Sequence, residues 1–335
     1  MSQMNDTSIL STRRCGRSGL HLPVLTLGCW YNFGEADAAS SRPSSEEAHH
    51  ANCTAIVRAA FERGINHIDL ANQYGPPIGG AEERVGRILK DWRRDDWLIS
   101  SKAGAKTDEG PYGKGGSRRL LLNSLEASLR RLQTDYLDLF YLHGPDIETD
   151  PEETWSAMAD AVRSGKVRYL GVSMHQCGHM ARVIATCERH GFPKPVISIH
   201  SYNMLNRSIE AEQMPMARLC EYGLGAFCSL GQGLLTSKYL QGIPDQSRAN
   251  QGTPFFSREK VKPAIIEKLR ALQDVATARG QSLSQLALAW ILRKPEVATA
   301  LIGASRPEQI NENAAAVSNL ELSDVELQSI NTILN

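Results

Sequence analysis

With 335 residues and 36.9 kDa, 41% hydrophobic and 22% charged, the chain has the make-up of an ordinary globular protein, long enough to bury a substantial core. Lys+Arg and Asp+Glu both total 37, and a net charge of zero gives no electrostatic reason to expect nucleic acid or an anionic membrane as partner. No apolar run reaches the roughly 20 residues of a membrane span, the opening "MSQMNDTSIL" lacks a signal-peptide pattern, and the seven cysteines form no Cys-x-x-Cys pair, so a cytoplasmic protein with reduced thiols and no metal is expected.

In chain order, residues 1–12 read as a flexible N-terminal segment and "RRCGRSGLHLP" as a hairpin. Eight short, nearly continuous apolar runs follow, as expected for parallel strands buried on both faces. They are "VLTLG" (Val24–Gly28), "INHIDL" (Ile65–Leu70), "WLISSK" (Trp97–Lys102) and "YLDLFYLH" (Tyr136–His143). The others are "VRYLGVS" (Val167–Ser173), "VISIHSY" (Val196–Tyr202), "LGAFCSL" (Leu224–Leu230) and "ATALIGAS" (Ala298–Ser305). Amphipathic helical patterns separate them. In "SRRLLLNSLEASLRRL", leucines recur at helical spacing behind a Ser117 N-cap. In "DPEETWSAMADAVRSGK", Asp150 can cap, Pro151 suits the first helical position and Gly165 can end the helix. Eight strand–helix units predict a single α/β domain over 1–335, a (β/α)8 TIM barrel with an N-terminal β-hairpin and a C-terminal extra helix, "SDVELQSINTIL". The stretch 232–262 is too long for a simple connection and reads as a long loop over a bound ligand.

Reacting groups in such barrels gather where strands end. Asp69 ends the second strand, Tyr74 sits on its loop, Lys102 ends the third strand and His143 the fourth, so all four should converge. Their chemistry is definite. An ammonium lowers the pKa of a nearby phenol, and a carboxylate holds the ammonium in place. An imidazole beside them can orient a substrate oxygen or share in proton transfer. Such a set protonates the alkoxide formed when hydride reaches a carbonyl carbon. None of the four supplies hydride, so a nicotinamide cofactor is required.

Near the other end, backbone N–H groups around Gly303 and Ser305, just before a helix, form a natural anion site. Arg306 can grip a phosphate there, which would select NADP over NAD. Gln309 and Asn313 lie three and seven residues further on, on the same helical face. No Gly-x-Gly-x-x-Gly follows the first strand, so no Rossmann domain is implied. Trp30, Tyr31 and Phe33 follow the first barrel strand and read as an apolar wall of the substrate pocket beside Tyr74 and His143.

These motifs, "GINHIDLANQYG", "SSKAG", "YLHGPD", "GKVRYLGVS", "SYNMLNR", "GLLTSKY" and "LIGASRPEQINEN", resemble the aldo-keto reductases from about Arg13 to the C-terminus. "GCWYNFG" and "DLANQYGPPIGGAEERVGR" are similar to the branch holding bacterial L-glyceraldehyde 3-phosphate reductase and, more distantly, potassium-channel β subunits. The resemblance implies NADPH-dependent reduction of small aldehydes or ketones, such as L-glyceraldehyde 3-phosphate or methylglyoxal. Tyr74 becomes the general acid, Lys102 tunes it, Asp69 orients Lys102 and His143 positions the carbonyl. It also implies cofactor contacts from Trp30, Asp69, Ser173, Tyr202 (stacked on nicotinamide), Ser229, Leu230, Gly233, Leu235 and Lys238. Gly303, Ser305 and Arg306 fall at the 2′-phosphate, Gln309 and Asn313 at the adenine. The partner is then a small carbonyl compound, and a homo-oligomer is compatible with it. The chain departs from the pattern at three places: Ile199 where many members have Gln, Met174 where they have Asn after Ser173, and Gly144 where the closest branch tends to have Arg. Two alternatives stay open, an NADP(H)-binding regulatory subunit with little turnover and an NADP-dependent alcohol dehydrogenase.

Overall fold

A computed structural model describes residues 10–35, 45–245, 247–251 and 256–335. Strands β1 (Thr12–Arg14) and β2 (His21–Pro23) form an antiparallel hairpin. Eight parallel strands then close a barrel: β3 (Leu25–Gly28), β4 (His67–Asp69), β5 (Leu98–Ala103), β6 (Leu137–Leu142), β7 (Val167–Ser173), β8 (Ile197–Ser201), β9 (Gly223–Phe227) and β10 (Val297–Ile302). Each strand pairs with the next in sequence, and β10 pairs with β3. The expected (β/α)8 barrel is therefore the fold, each strand falling on one of the eight apolar runs, with Ala103, Gly223 and Val297 lying one residue outside theirs. Most of the expected flexible segment lies outside the described residues, but Thr12 is already paired in the hairpin with Pro23.

Outside the barrel run α1 (Glu46–Glu62), α2 (Gly80–Leu89), α3 (Arg118–Leu132), α4 (Pro151–Arg163), α5 (Cys177–His190), α6 (Gln213–Cys220), the single turn α7 (Arg248–Gln251), α8 (Pro263–Ala278), α9 (Leu283–Leu292), α10 (Pro307–Ala314) and α11 (Asp324–Leu334). Their ends obey the capping chemistry in the sequence. Ser117 accepts the Leu120 N–H, and Asp150 accepts that of Glu152 ahead of Pro151. Ser323 and Glu326 form a capping box at the start of α11, the expected extra helix. Between 232 and 262 the described residues carry short helical turns, and Leu235, Tyr239, Ala249 and Phe256 are buried. None of the helices among the described residues is long and apolar enough to cross a membrane.

Alternation along the strands sorts side chains into two cores. Those facing out, such as Leu27, Ile68, Phe140 and Val172, pack under the helices. Those facing in, Leu139, Tyr141, Ile197, Ile199 and Ala298, join Cys15, Leu20 and Leu22 of the hairpin, which plugs the N-terminal end. Arg13 bolts that plug in place by donating to the carbonyl oxygens of Leu292, Lys294 and Val297 at 2.6–3.0 Å. Two glycines make interior room: a Cβ at Gly171 would stand 2.4 Å from the Tyr141 ring, and one at Gly225 would stand 2.7 Å from Ile199 Cγ2. The lower barrel is thus filled with side chains, and reacting groups can meet a ligand only at the C-terminal mouth.

Candidate active site

On β4 the inward positions are His67 and Asp69, and on β5 they are Ser100 and Lys102, in register as Asp69 beside Ser100. Asp69 and Lys102 are both buried, and Lys102 Nζ donates to Asp69 Oδ2 at 2.5 Å and to the Leu70 carbonyl at 2.5 Å. The same ammonium lies 4.9 Å from the centre of the Tyr74 ring and 5.6 Å from that of Tyr141. Tyr74 rides on a tight loop whose next residue must be glycine, since a Cβ at Gly75 would meet the Pro77 carbonyl oxygen at 1.8 Å. The Ala81 N–H ties the Tyr74 carbonyl to the start of α2. The His143 ring, just beyond β6, stands edge-on to Tyr74 at 5.7 Å, and the Trp30 ring does so at 6.3 Å. Asp69, Tyr74, Lys102 and His143 thus meet at the mouth.

Burial sets the protonation states. It raises the Tyr74 pKa, and Lys102, acting by charge and hydrogen bond, only partly opposes it. The ammonium alone would have lowered that phenol. Inside this wall desolvation wins, and Tyr74 is held as a neutral donor. Burial pulls Lys102 down, but Asp69 and Tyr74 outweigh it and the net shift is upward. His143 falls to about 3, through burial first and the Lys102 charge second, so its ring is neutral at physiological pH.

Other expected site residues lie elsewhere. Phe33 is fully buried among core side chains and does not wall the mouth. Tyr202 does not reach the mouth either. Its ring packs on Trp290 at 5.3 Å, and its hydroxyl is held by Glu210 at 2.6 Å and Arg293 at 3.0 Å. The reason is parity: Ile197 and Ile199 face in, so Tyr202 faces the helices. Leu235 is core, and Ser229 is buried with its hydroxyl on the Ala226 carbonyl. Leu230 and Gly233 are half-buried on the turn after β9, and Lys238 is exposed beyond it. The N–H groups of Gly231, Gly233, Leu234 and Leu235 bond within that turn. Ser173 is buried at the end of β7, and Met174 follows in a left-handed conformation (φ 56°) with its side chain half exposed. Ile199 faces the interior and offers no hydrogen bond.

Phe227, overlooked in the sequence, faces inward at the end of β9 and is partly exposed there. Strict alternation in "LGAFCSL", with Leu224 and Ala226 packed outside, was the signal for it. At the end of β10, Gly303, Ser305 and Arg306 are exposed, and Gln309 Oε1 accepts from the Ser305 N–H at 2.7 Å and hydroxyl at 3.2 Å. Asn32 and Asn52 brace this turn by donating to the carbonyls of Ala304 and Ser305. Among the described residues, Arg306 has one loose, exposed ionic neighbour, Glu308 at 3.7 Å. Asn313, on the inner face of α10, is buried. The described residues contain no cluster of three or more His, Cys, Asp or Glu able to hold a metal ion.

Comparison with known proteins agrees with this geometry. The sequence model described as "Aldo/keto reductase family" matches residues 24–335. L-glyceraldehyde 3-phosphate reductase of Escherichia coli (strain K12) is 44% identical over 328 residues, covering 95% of this chain and 90% of that protein. A probable voltage-gated potassium channel subunit beta of Oryza sativa subsp. japonica is 32% identical over 316 residues, 92% of either chain. A thermostable aldo-keto reductase, solved in complex with the inhibitor epalrestat, has the same fold at a TM-score of 0.75 and 29% identity, over 96% of this chain and 99% of that one. With this fold, this mouth and these relatives, the chain belongs to the aldo/keto reductase family and is an NADP(H)-dependent oxidoreductase of carbonyl and CH–OH groups.

Proposed function

We propose that the protein reduces small, uncharged aldehydes or ketones with NADPH, Tyr74 giving the proton. The observation that carries this reading is the buried Asp69–Lys102 pair, 2.5 Å apart, with its ammonium against the Tyr74 ring. Bound NADPH supplies hydride to the carbonyl carbon; the chain supplies the rest. Tyr74 Oη–H donates to the carbonyl oxygen and releases its proton as negative charge develops there. Lys102 stabilises the phenolate left behind, and Asp69 keeps the ammonium in place. Neutral His143 offers a ring N–H that fixes the carbonyl oxygen beside Tyr74.

The residues present fit such a cofactor. Arg306 and Ser305 stand exposed ahead of α10, where a 2′-phosphate would be gripped, and the half-buried Gln309 would meet the adenine, whereas Asn313 is buried and supports the helix from within. Phe227, inward-facing at the end of β9, takes the role of nicotinamide support in place of Tyr202 in this reading, and Trp30, Ser173, Leu230, Gly233 and Lys238 are its further cofactor contacts. Arg306→Ala is expected to raise the NADPH Kd roughly 10- to 100-fold, the worth of a charge-assisted bidentate contact, and to leave NADH binding unchanged. Fluorescence titration with both nucleotides reads this directly.

The relative named for L-glyceraldehyde 3-phosphate suggests that substrate, but the rim argues for an uncharged one. Tyr31, Ile78, Tyr112, Ile147 and Met174, on the successive loops after β3 to β7, are exposed. Gly144, beside His143, has no side chain to offer a cation, and an added Cβ would meet nothing within 4 Å among the described residues, so there is room for one. A panel followed by NADPH oxidation should give methylglyoxal or an apolar aldehyde a kcat/KM at least roughly tenfold above L-glyceraldehyde 3-phosphate, and Gly144→Arg should narrow the gap. The reverse ranking would overturn the substrate reading. Ile199, which cannot hold a nicotinamide carboxamide, favours the second reading of a cofactor-binding subunit. Tight NADPH binding with negligible turnover across the panel would establish that one.

A further inference from the structure

Beneath Asp69 an unbroken line of buried polar groups crosses four barrel strands. Thr299 Oγ1 lies 2.7 Å from Thr26 Oγ1, which lies 2.8 Å from His67 Nδ1. His67 Nε2 lies 3.1 Å from Ser100 Oγ, and Ser100 donates to Asp69 Oδ1 at 2.8 Å. Thr26, His67, Ser100 and Thr299 are all essentially inaccessible to solvent. The catalytic reading uses none of them.

The nearer acceptor of Ser100 Oγ, Asp69 Oδ1 at 2.8 Å against the Ile68 carbonyl at 3.3 Å, gives the line a direction. Asp69, paired with Lys102, is acceptor-only, so the single Ser100 proton points at the carboxylate. Ser100 Oγ must then accept from His67, which places the ring proton on Nε2. Burial holds the His67 pKa near 4, despite Asp69 and Asp138 pulling it up and with Lys102 adding to the depression, so the ring is neutral and Nδ1 is bare. Nδ1 accepts from the Thr26 hydroxyl, which accepts in turn from Thr299. Four donors on β10, β3, β4 and β5 thus align toward one carboxylate oxygen, while the other oxygen holds the ammonium. A carboxylate with both oxygens bonded in a dry wall cannot rotate. One that loses the Oδ1 donor can turn about its Cβ–Cγ bond and carry Lys102 away from Tyr74.

We propose that His67 and Ser100 are positioning residues for the reaction, holding Asp69, and through it Lys102, against Tyr74. This rests on Tyr74 being the proton donor. Ser100→Ala and His67→Leu are expected to lower kcat roughly tenfold, the scale on which small misplacements act, with KM unchanged within about twofold. They also move the alkaline limb of the kcat–pH profile upward, because a more distant ammonium lowers the Tyr74 pKa less. His67→Gln, whose amide can still donate to Ser100, recovers most of both effects. A merely structural role would lower the melting temperature of the variants and leave that limb where it is. Wild-type kcat and an unmoved limb in Ser100→Ala overturn the proposal. So does a kcat loss with an unmoved limb. Ser100→Ala removes one atom and decides alone where His67→Leu fails to accumulate. Tyr74→Phe measured alongside separates the two readings: if it turns over normally the proton-donor reading falls, and if it is inactive while Ser100→Ala is unimpaired only the positioning role falls.

Discussion

Replacing Tyr74 by phenylalanine should lower kcat for carbonyl reduction about 100- to 10,000-fold, the usual contribution of a positioned general acid. The ring is kept, so its edge contacts with Trp30 and His143, at 6.3 and 5.7 Å, survive and the pocket keeps its shape. What disappears is the single O–H that burial keeps protonated beside Lys102. Neutral His143, held near 3, carries no acidic imidazolium to replace it. Lys102 is a cation already bonded to Asp69 and the Leu70 carbonyl, and giving up its proton would leave a buried carboxylate unpaired. NADPH affinity should stay near the wild-type value, since the phosphate grip is proposed at Arg306, on the turn after β10, and does not use the Tyr74 hydroxyl. Stopped-flow NADPH oxidation and equilibrium titration separate the two quantities. Equal turnover by wild type and Tyr74→Phe would sink the mechanism.

The second large effect is on stability at acid pH. Burial depresses five histidines, and four of them furthest, His143 to about 3 and His67, His175 and His200 to about 4, with Ser173 partly opposing the shift at His175. Each titrates near 6.5 once unfolded. Between the two values the unfolded chain binds the extra proton and the native state does not, so stability is full above about pH 7 and falls as pH drops through 6.5 toward 4. At pH 5 each of those four removes about 2 kcal/mol, and four such terms rival the whole stability of a typical domain. Denaturant titrations at pH 7.5, 6 and 5 should show the unfolding midpoint falling steeply with acidity. A midpoint that stays flat to pH 5 would contradict neutral burial of these rings.

Much of the site is legible in the sequence. A nearly continuous apolar run that ends on Asp69, Lys102 or His143 places a polar group where a parallel strand leaves the barrel, and the fold did bring those three together with Tyr74. The helix ends at Ser117, Asp150 and Ser323 were equally readable, because capping is a local matter of one side chain and one N–H.

The misplacements share a different cause. Strands of this barrel are apolar on both faces, so composition does not say which face looks inward. Tyr202 and Phe227 end neighbouring strands and look equally suited to a nicotinamide, yet one turns to Trp290 and the other to the mouth. Phe33 sinks into the core while Trp30, three residues earlier, reaches Tyr74. The line from Thr299 to Asp69 joins residues as far apart as 273 positions, and no local pattern marks it. The balance that keeps Tyr74 protonated belongs to the same class, since desolvation is a property of everything packed around the phenol. The sequence by itself determined the barrel, the family and the four groups at its mouth, because strand period, caps and strand ends are local. Only the tertiary structure decided which aromatics face the mouth, which hydrogen bonds hold Asp69 and where the protons sit, because those depend on atoms brought together from distant parts of the chain.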